Sequence, residues 1–201
     1  MEITTLLVGY VGVNDLAASV ICANIFMIFY MITQSLSYVT GAMVGNSLGE
    51  GHKKKAMKHI RVGTGVAVII MLAIVVSIVF SGDSLARAYT PNLEVQELIS
   101  KVMLAVAAML AFDSVVAMGK GIIRGMGLQK YSAVIFFVGY WGFSIPASAI
   151  LVLVYEKGVI EVWIMIAIGA AITFFGVYGV IIFSNWDKII IRVQNELSGN
   201  Q

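Results

Sequence analysis

The sequence predicts an all-α polytopic membrane protein, a six-helix transmembrane bundle whose first helix is truncated. Three observations predict it. Hydrophobic residues make up 60% of the 201 and charged residues only 12%, about half the charged fraction of a soluble domain. The mean hydropathy of +0.95 is more than one soluble core of this length can hide. The apolar residues also fall into stretches near the roughly 20 residues that a bilayer-spanning helix requires.

Taken in order, a short stretch over residues 3–13 precedes five long ones over 16–48, 60–81, 98–118, 131–154 and 162–184. At about 1.5 Å per residue the first crosses only half a membrane. Either it is re-entrant or its first half is missing. The connectors over 12–15, 49–58, 82–97, 119–130 and 156–161 are rich in turn and charged residues. If the stretches cross in sequence, one side collects Lys53, Lys54, Lys55, Lys58, Arg61, Lys120, Arg124, Lys130, Lys188 and Arg192. The other collects only Arg87, Lys101 and Lys157, together with most of the acids. Ten cations against three mark the first side as cytoplasmic. The chain divides into a transmembrane lobe, 1–185, and a cytoplasmic tail, 186–201. In that tail Ile189, Ile190, Ile191 and Val193 beside Lys188 and Arg192 suggest a short surface-lying amphipathic helix.

Several function classes are excluded or left without support. High hydrophobicity excludes disorder, and Cys22, the only cysteine, has no intrachain partner for a disulfide scaffold. No basic, aromatic-interleaved soluble face for nucleic acid is present, and a basic n-region of a signal peptide is lacking before the first apolar run. The text contains no phosphate loop, no H-E-x-x-H and no G-x-S-x-G. His52 and His59 fall in or beside the basic connector without acidic or cysteine company, so no metal site is expected. An intramembrane enzyme would need a nucleophile with its base, or a metal cluster, at one depth, and the stretches offer neither. The Lys53-Lys54-Lys55 run reads as a topology anchor beside anionic headgroups, with a lipid or nucleotide contact as the alternative.

What the stretches hold instead is two isolated carboxylates at membrane depth, Glu2 and Asp113. A charge near the bilayer centre costs roughly 2.5–3.5 kcal/mol on insertion scales, so such groups face a cavity or a partner. Protonation removes most of that cost, which makes each a candidate proton carrier; the alternative for Asp113 is a static pair with a neighbouring helix. Lys120 and Arg124 follow Asp113 by seven and eleven residues, within about 20° of its helical face, as a charge ladder toward it. In the 16–48 stretch Asn24, Met31, Ser35, Tyr38 and Ala42 recur at helical spacing, a polar or small face suited to a water-filled cleft. Interhelical packing explains Ser35, Gly41 and Gly45 equally well. Thr33, Gln34 and Thr40 fall on other faces and suit helix contacts. Eleven methionines and ten phenylalanines read as lipid-facing or core filler, with a cavity for varied apolar molecules as the alternative. Pro146, the one proline inside a stretch, is expected to kink the fifth, with Gly139 and Gly142 adding pliancy.

Three motifs carry a family resemblance: Val44-Gly45-Asn46-Ser47-Leu48-Gly49-Glu50-Gly51, Arg124-Gly125-Met126-Gly127-Leu128-Gln129 and Asn185-Trp186-Asp187-Lys188. In this order and spacing the chain resembles the carboxy-terminal lobe, helices seven to twelve, of eukaryotic-type multidrug and toxic compound extrusion (MATE) transporters. These have twelve helices in two lobes with substrate in the cleft between them. The resemblance implies half of that fold and an amino-terminal six-helix lobe supplied in cis or trans. It implies that Glu2 and Asp113 belong to the acidic set handling protons and cations, and that Tyr140 and Pro146 match the helix-eleven tyrosine and proline. Asn24 falls where animal members often carry a third Glu and plant-like members carry Asn; Thr33 replaces a common proline. Tyr140 joins Asn24, Met31, Ser35 and Tyr38 as a cleft candidate, while Gly45, Asn46, Gly49, Arg124, Gly125, Gln129 and Pro146 are structural or gating candidates. The implied function is a secondary antiporter in a plasma or vacuolar membrane. It exports a small organic compound, a cation among the candidates, in exchange for H⁺ ahead of Na⁺, with no cofactor. The alternative is a non-transporting half-protein that needs a second lobe for assembly.

Overall fold

A computed structural model describes residues 2–198, with side chains over 3–195. The described residues form a helical bundle: α1 (Glu2–Gly9), α2 (Val13–Gly49), α3 (Lys53–Tyr89), α4 (Leu93–Gly125), α5 (Gln129–Phe136), a π-helical segment (Phe137–Ser144), α6 (Ile145–Leu153), α7 (Val159–Phe183) and α8 (Trp186–Ser198). Five helices are long and apolar enough to cross a membrane: α2, α3, α4, the run Gln129–Leu153, and α7. The short α1, eight residues long, is the sixth element of the bundle.

The helices outrun the apolar stretches, and the breaks between them are shorter than the expected connectors. Residues 53–58 and 82–89 lie inside α3, 93–97 inside α4 and 119–125 at the end of α4. Hydropathy marks where lipid begins, whereas a helix ends where its capping chemistry ends. At the α3–α4 turn the Asn92 side chain accepts hydrogen bonds from the backbone N–H of Glu94 at 3.0 Å and Val95 at 3.4 Å, an N-cap with an acid in the first turn. At the opposite end α2 and α4 each stop short of a glycine in the left-handed region, Gly51 (φ 76°) and Gly127 (φ 69°), where a side chain would strain the backbone.

The centre of the bundle is α4. It packs against α2, α3 and α7, and this is why Met109, Leu110, Met118, Ile122 and Ile123 are all buried. Its crossing with α2 is closed by glycine. A Cβ on Gly121 would overlap the carbonyl of Ser37, and one on Gly125 the carbonyl of Gly41. Two small-x-x-x-small pairs, Gly41/Gly45 and Gly121/Gly125, thus let the backbones touch, as in lipid-embedded helix pairs generally. Ser37 Oγ adds an interhelical hydrogen bond to the Ala117 carbonyl at 2.5 Å.

Two apolar clusters build the core. One runs from Val8 and Ala18 to Leu110 on α4 and Trp163 on α7. The other runs from Val116 to Met126 and takes in Val44, Leu48, Val177 and Ile189. Between them α4 carries a polar layer, Asp113 and Ser114, both buried.

The amphipathic α8 docks on the end where α2 meets α3 and α4 meets α5. Ile189 is buried there. Asp187 accepts from Lys53 Nζ at 2.8 Å, and Arg192 donates to the Gly127 carbonyl at 3.3 Å. At the other end Asp15 Oδ1 caps α7 by accepting from Val159 N at 3.1 Å. The basic connectors therefore share one end of the bundle.

Candidate functional site

Asp113 lies in the wall of a cavity of about 550 Å³ lined by Thr4 of α1, Phe26, Met27 and Tyr30 of α2, Met109 and Lys120 of α4, and Phe136, Tyr140, Trp141 and Ser144 around the π-helical segment. The Tyr140 hydroxyl donates to Asp113 Oδ1. Lys120 Nζ reaches the Tyr30 hydroxyl at 3.5 Å and lies 4.9 Å above the Phe136 ring. One turn further along, the Arg124 guanidinium sits 4.4 Å from the Tyr38 ring centroid. The expected ladder on α4 is in place, with an aromatic ring beside each cation.

Pro146 shapes the wall that presents Tyr140. Having no N–H, and with its ring crowding the carbonyl four residues back, it cannot continue an α-helical ladder. The structure answers with two turns of wider winding over Phe137–Ser144, where Ile145 N donates to the Tyr140 carbonyl, five residues back. The expected kink is thus a π-helical stretch, a form that recurs at functional positions. Packing against α7 holds it. Ser144 Oγ shares its one proton between the carbonyls of Gly139 at 3.2 Å and Met165 at 3.1 Å, and a Cβ on Gly139 would overlap Thr173 Oγ1.

Of the cleft candidates, Tyr140 alone lines this cavity. Asn24, Met31, Ser35 and Tyr38 occupy an exposed face of α2; Met31 is 60% and Tyr38 54% exposed. Ser35 Oγ bonds back to the Met31 carbonyl at 2.9 Å. Thr33 and Thr40 are buried, on other faces of α2. Glu2 opens α1, next to the cavity-lining Ile3, but its side chain lies outside the described residues.

The motif residues gather at the α8 end. Gly45 packs on Gly125, the Asn46 carbonyl accepts from Glu50 N at 3.0 Å and Gly49 closes α2. Gln129 opens α5 and lines a second cavity with Lys120 and Arg124. In the turn between α2 and α3, Lys55 Nζ donates to Glu50 Oε2 at 2.8 Å and His52 Nδ1 lies 3.2 Å from it. These partners, Lys55 first, hold the Glu50 carboxyl below the usual carboxylate range.

Sequence reasoning missed Tyr30 and Trp141. Tyr30 stands one helical turn before Gln34, but the spacing does not say which neighbouring helix that face meets. Trp141 gives no such signal, because the π winding rotates it away from its α-helical register. Among the described residues there is no group of three or more His, Cys, Asp or Glu able to hold a metal ion.

A family model described as MatE matches residues 1–150. Multidrug and toxin extrusion protein 1 of Oryctolagus cuniculus is 29% identical over 187 residues, covering 93% of this chain and 33% of that protein. Protein DETOXIFICATION 16 of Arabidopsis thaliana is 28% identical over 201 residues, covering 99% of this chain and 41% of its own. The chain thus spans a third to two fifths of the length of these relatives. In fold it is similar to the crystal structure of the eukaryotic MATE transporter AtDTX14, with a TM-score of 0.89 at 20% identity over 96% of this chain and 44% of that one. With its family model matched over three quarters of its length and a bundle of apolar helices of the same fold, this multi-pass membrane protein belongs to the MatE family.

Proposed function

We propose that the chain is the carboxy-terminal lobe of a secondary antiporter that exports a small organic compound in exchange for protons by alternating access. The observation that carries the reading is Asp113: a carboxyl in a polar layer between two apolar clusters, opening on a cavity and bonded to Tyr140 on a π-helical segment. The cavity lies beside α1 and α2, and a second six-helix lobe, in cis or trans, completes the cleft.

The proposed step is local. As a carboxylate, Asp113 accepts the Tyr140 hydroxyl and attracts a cationic group of the substrate. On protonation it loses that charge, the attraction ends, and Tyr140 no longer faces an anion. Because Tyr140 belongs to the π-helical segment, the change reaches the one span not wound as a regular α-helix throughout. Protonation shifts the lobe toward a releasing state only so far as the proton binds that state better. Glu2 is proposed as a second acid of the same set. H⁺ is the coupling ion proposed, ahead of Na⁺, and no cofactor takes part. The side bearing α8 is proposed to be cytoplasmic on the excess of cations there, nine to three once Lys120, which lines the cavity beside Asp113, is set aside, with residues 186–201 as its amphipathic tail.

Asp113→Asn keeps the shape of the side chain and removes its titration. In the complete transporter, reconstituted in vesicles with an imposed pH difference, it is expected to abolish proton-driven substrate exchange. Unchanged exchange would remove Asp113 from the proposed role.

A further inference from the structure

Two of the three sequence motifs meet where α5, α7 and α8 converge, in a place the export reading does not use. A groove of about 360 Å³ lies there between Leu128 and Tyr131 at the start of α5, Val180 and Phe183 at the end of α7, and Asn185 and Lys188 where α8 begins. Its α5 and α7 walls are apolar and open: Phe183 is 88% and Tyr131 57% exposed. Phe183 is also the last residue of the α7 span, so the groove sits where that span leaves the bilayer. One edge is cationic. Lys188 lines the groove and Lys130 precedes the lining Tyr131 in the first turn of α5; both are exposed. No described carboxylate comes within 4.0 Å of either Nζ. The neighbouring acid Asp187 is taken up by Lys53 on α3. Glu196, whose side chain lies outside the described ones, is eight residues beyond Lys188, about 12 Å further along α8. Asn185 Oδ1 accepts from Lys188 N at 3.2 Å, while its side-chain amide N–H groups have no described acceptor.

We propose that this groove is a site for an anionic phospholipid of the leaflet on the α8 side, with an acyl chain along Val180 and Phe183 and the phosphate held by Lys188, Lys130 and the Asn185 amide. The inference goes beyond the export reading and needs only that the chain spans a bilayer. Depth selects the class of ligand. A soluble anion gains nothing from an apolar groove beside an exposed phenylalanine, and a bare acyl chain gains nothing from two lysines; a phospholipid matches both at one level of the membrane. A choline headgroup would bring a third cation to the lysines, so the site favours a headgroup of net negative charge. Each lysine offers phosphate a point charge with three donors, and its long stem lets the ammonium rise from an apolar wall to the headgroup level. The lipid also fastens α8. Arg192, one turn after Lys188, already donates to the carbonyl of Gly127, next to the lining Leu128. A phosphate between Lys188 of α8 and Lys130 of α5 joins the tail to the same corner of the bundle a second time.

The test uses phosphatidylglycerol carrying a diazirine in its acyl chain, photolysed in trace amount on the complete transporter in phosphatidylcholine nanodiscs, with the labelled peptides read by mass spectrometry. Label is expected within residues 128–131 and 180–189. It is expected to be displaced when unlabelled phosphatidylglycerol replaces half of the phosphatidylcholine, and to survive inorganic phosphate. Lys130→Gln with Lys188→Gln is expected to lower labelling about fivefold per lysine, the worth of one cation beside an anionic headgroup, whereas Lys130→Arg with Lys188→Arg retains it. Val180→Trp, which fills the groove and leaves both lysines, is expected to lower it as well. In the parent, phosphatidylglycerol is expected to slow amide hydrogen exchange across residues 186–195, an effect the Gln pair removes. Label spread evenly over all span ends, or label at the groove that unlabelled phosphatidylglycerol does not displace, would overturn the proposal without recourse to a variant. So would labelling that the Gln pair leaves unchanged at the thermal midpoint of the parent. Displacement by inorganic phosphate would reduce the lysines to a patch for any anion and overturn the lipid site too.

Discussion

Two spans of this bundle use glycine to opposite ends. On α4, wrapped by α2, α3 and α7, Gly121 and Gly125 remove side chains where another backbone passes. In the Gln129–Leu153 span Gly139 does the same against α7, but Gly142 faces nothing nearer than the Phe137 carbonyl at 3.8 Å, and the winding loosens to the π form. Asp113 is carried by the tightly packed span and Tyr140 by the loosely wound one. Their hydrogen bond therefore joins the centre of the bundle to the π-wound segment. A membrane lobe can be rigid where helices touch through glycine and pliable where a proline has already given up one rung of the ladder.

Alanine at two glycines would sharpen that contrast most. Gly121→Ala forces α2 and α4 apart at Ser37, where the nearest atom is a backbone carbonyl that cannot turn aside, and is expected to cost about 3 kcal/mol, the upper part of the overpacking range. Gly142→Ala meets only the Phe137 carbonyl, at an ordinary contact distance of 3.8 Å, and is expected to stabilise by up to about 1 kcal/mol, since alanine loses less chain entropy in a helix. Thermal unfolding in detergent reads both, and the same sign for the two would break the comparison.

Next in size is Tyr140→Phe, which leaves the buried Asp113 carboxyl without its donor, a loss of roughly 1–3 kcal/mol. Because the group sits at the joint between the two spans, proton-driven exchange is expected to fall more than substrate binding does. An equal fall in both would make Tyr140 a plain structural contact. Pro146→Ala returns the missing N–H, so amide hydrogen exchange across residues 137–146 is expected to slow as the segment rewinds. Unchanged protection there would mean that packing on α7, not the proline, holds the π form.

The smallest effect is expected at the α8 end. Lys53→Ala removes an exposed pair with Asp187, worth under about 1 kcal/mol and less at high salt. Glu50, held below the usual carboxylate range by Lys55 and His52, acts in the same direction. Its contribution is complete above the ordinary carboxylate pKa and is lost as pH falls through the lowered one. The α2–α3 turn, followed by proteolysis, is therefore expected to loosen slightly on strong acidification and not near neutral pH.

The apolar stretches, the isolated Asp113 and the amphipathic tail were legible because each is a local property: a run length, a lone charge, a periodicity. Lys120 and Arg124 were legible as a ladder because helical geometry fixes residues seven and eleven apart on one face. Tyr140 came only through family resemblance, since a tyrosine in an aromatic-rich span carries no signal of its own. Asn24, Met31, Ser35 and Tyr38 form a face as expected, yet that face lies outside the cavity beside Asp113. Periodicity groups residues without saying which neighbour the group meets.

By itself the sequence determined that this chain lives in lipid, how many times it is long enough to cross, which connectors collect the cations and where a carboxyl is stranded. Those follow from transfer energies that each residue carries wherever it sits. Only the tertiary structure decided that Pro146 produces a π-helical segment and not a break, that this winding delivers Tyr140 to Asp113, and that Lys120 shares their cavity without pairing with the acid. Each of those depends on which helices touch through glycine, and backbone contact between distant segments is a property of the assembled bundle.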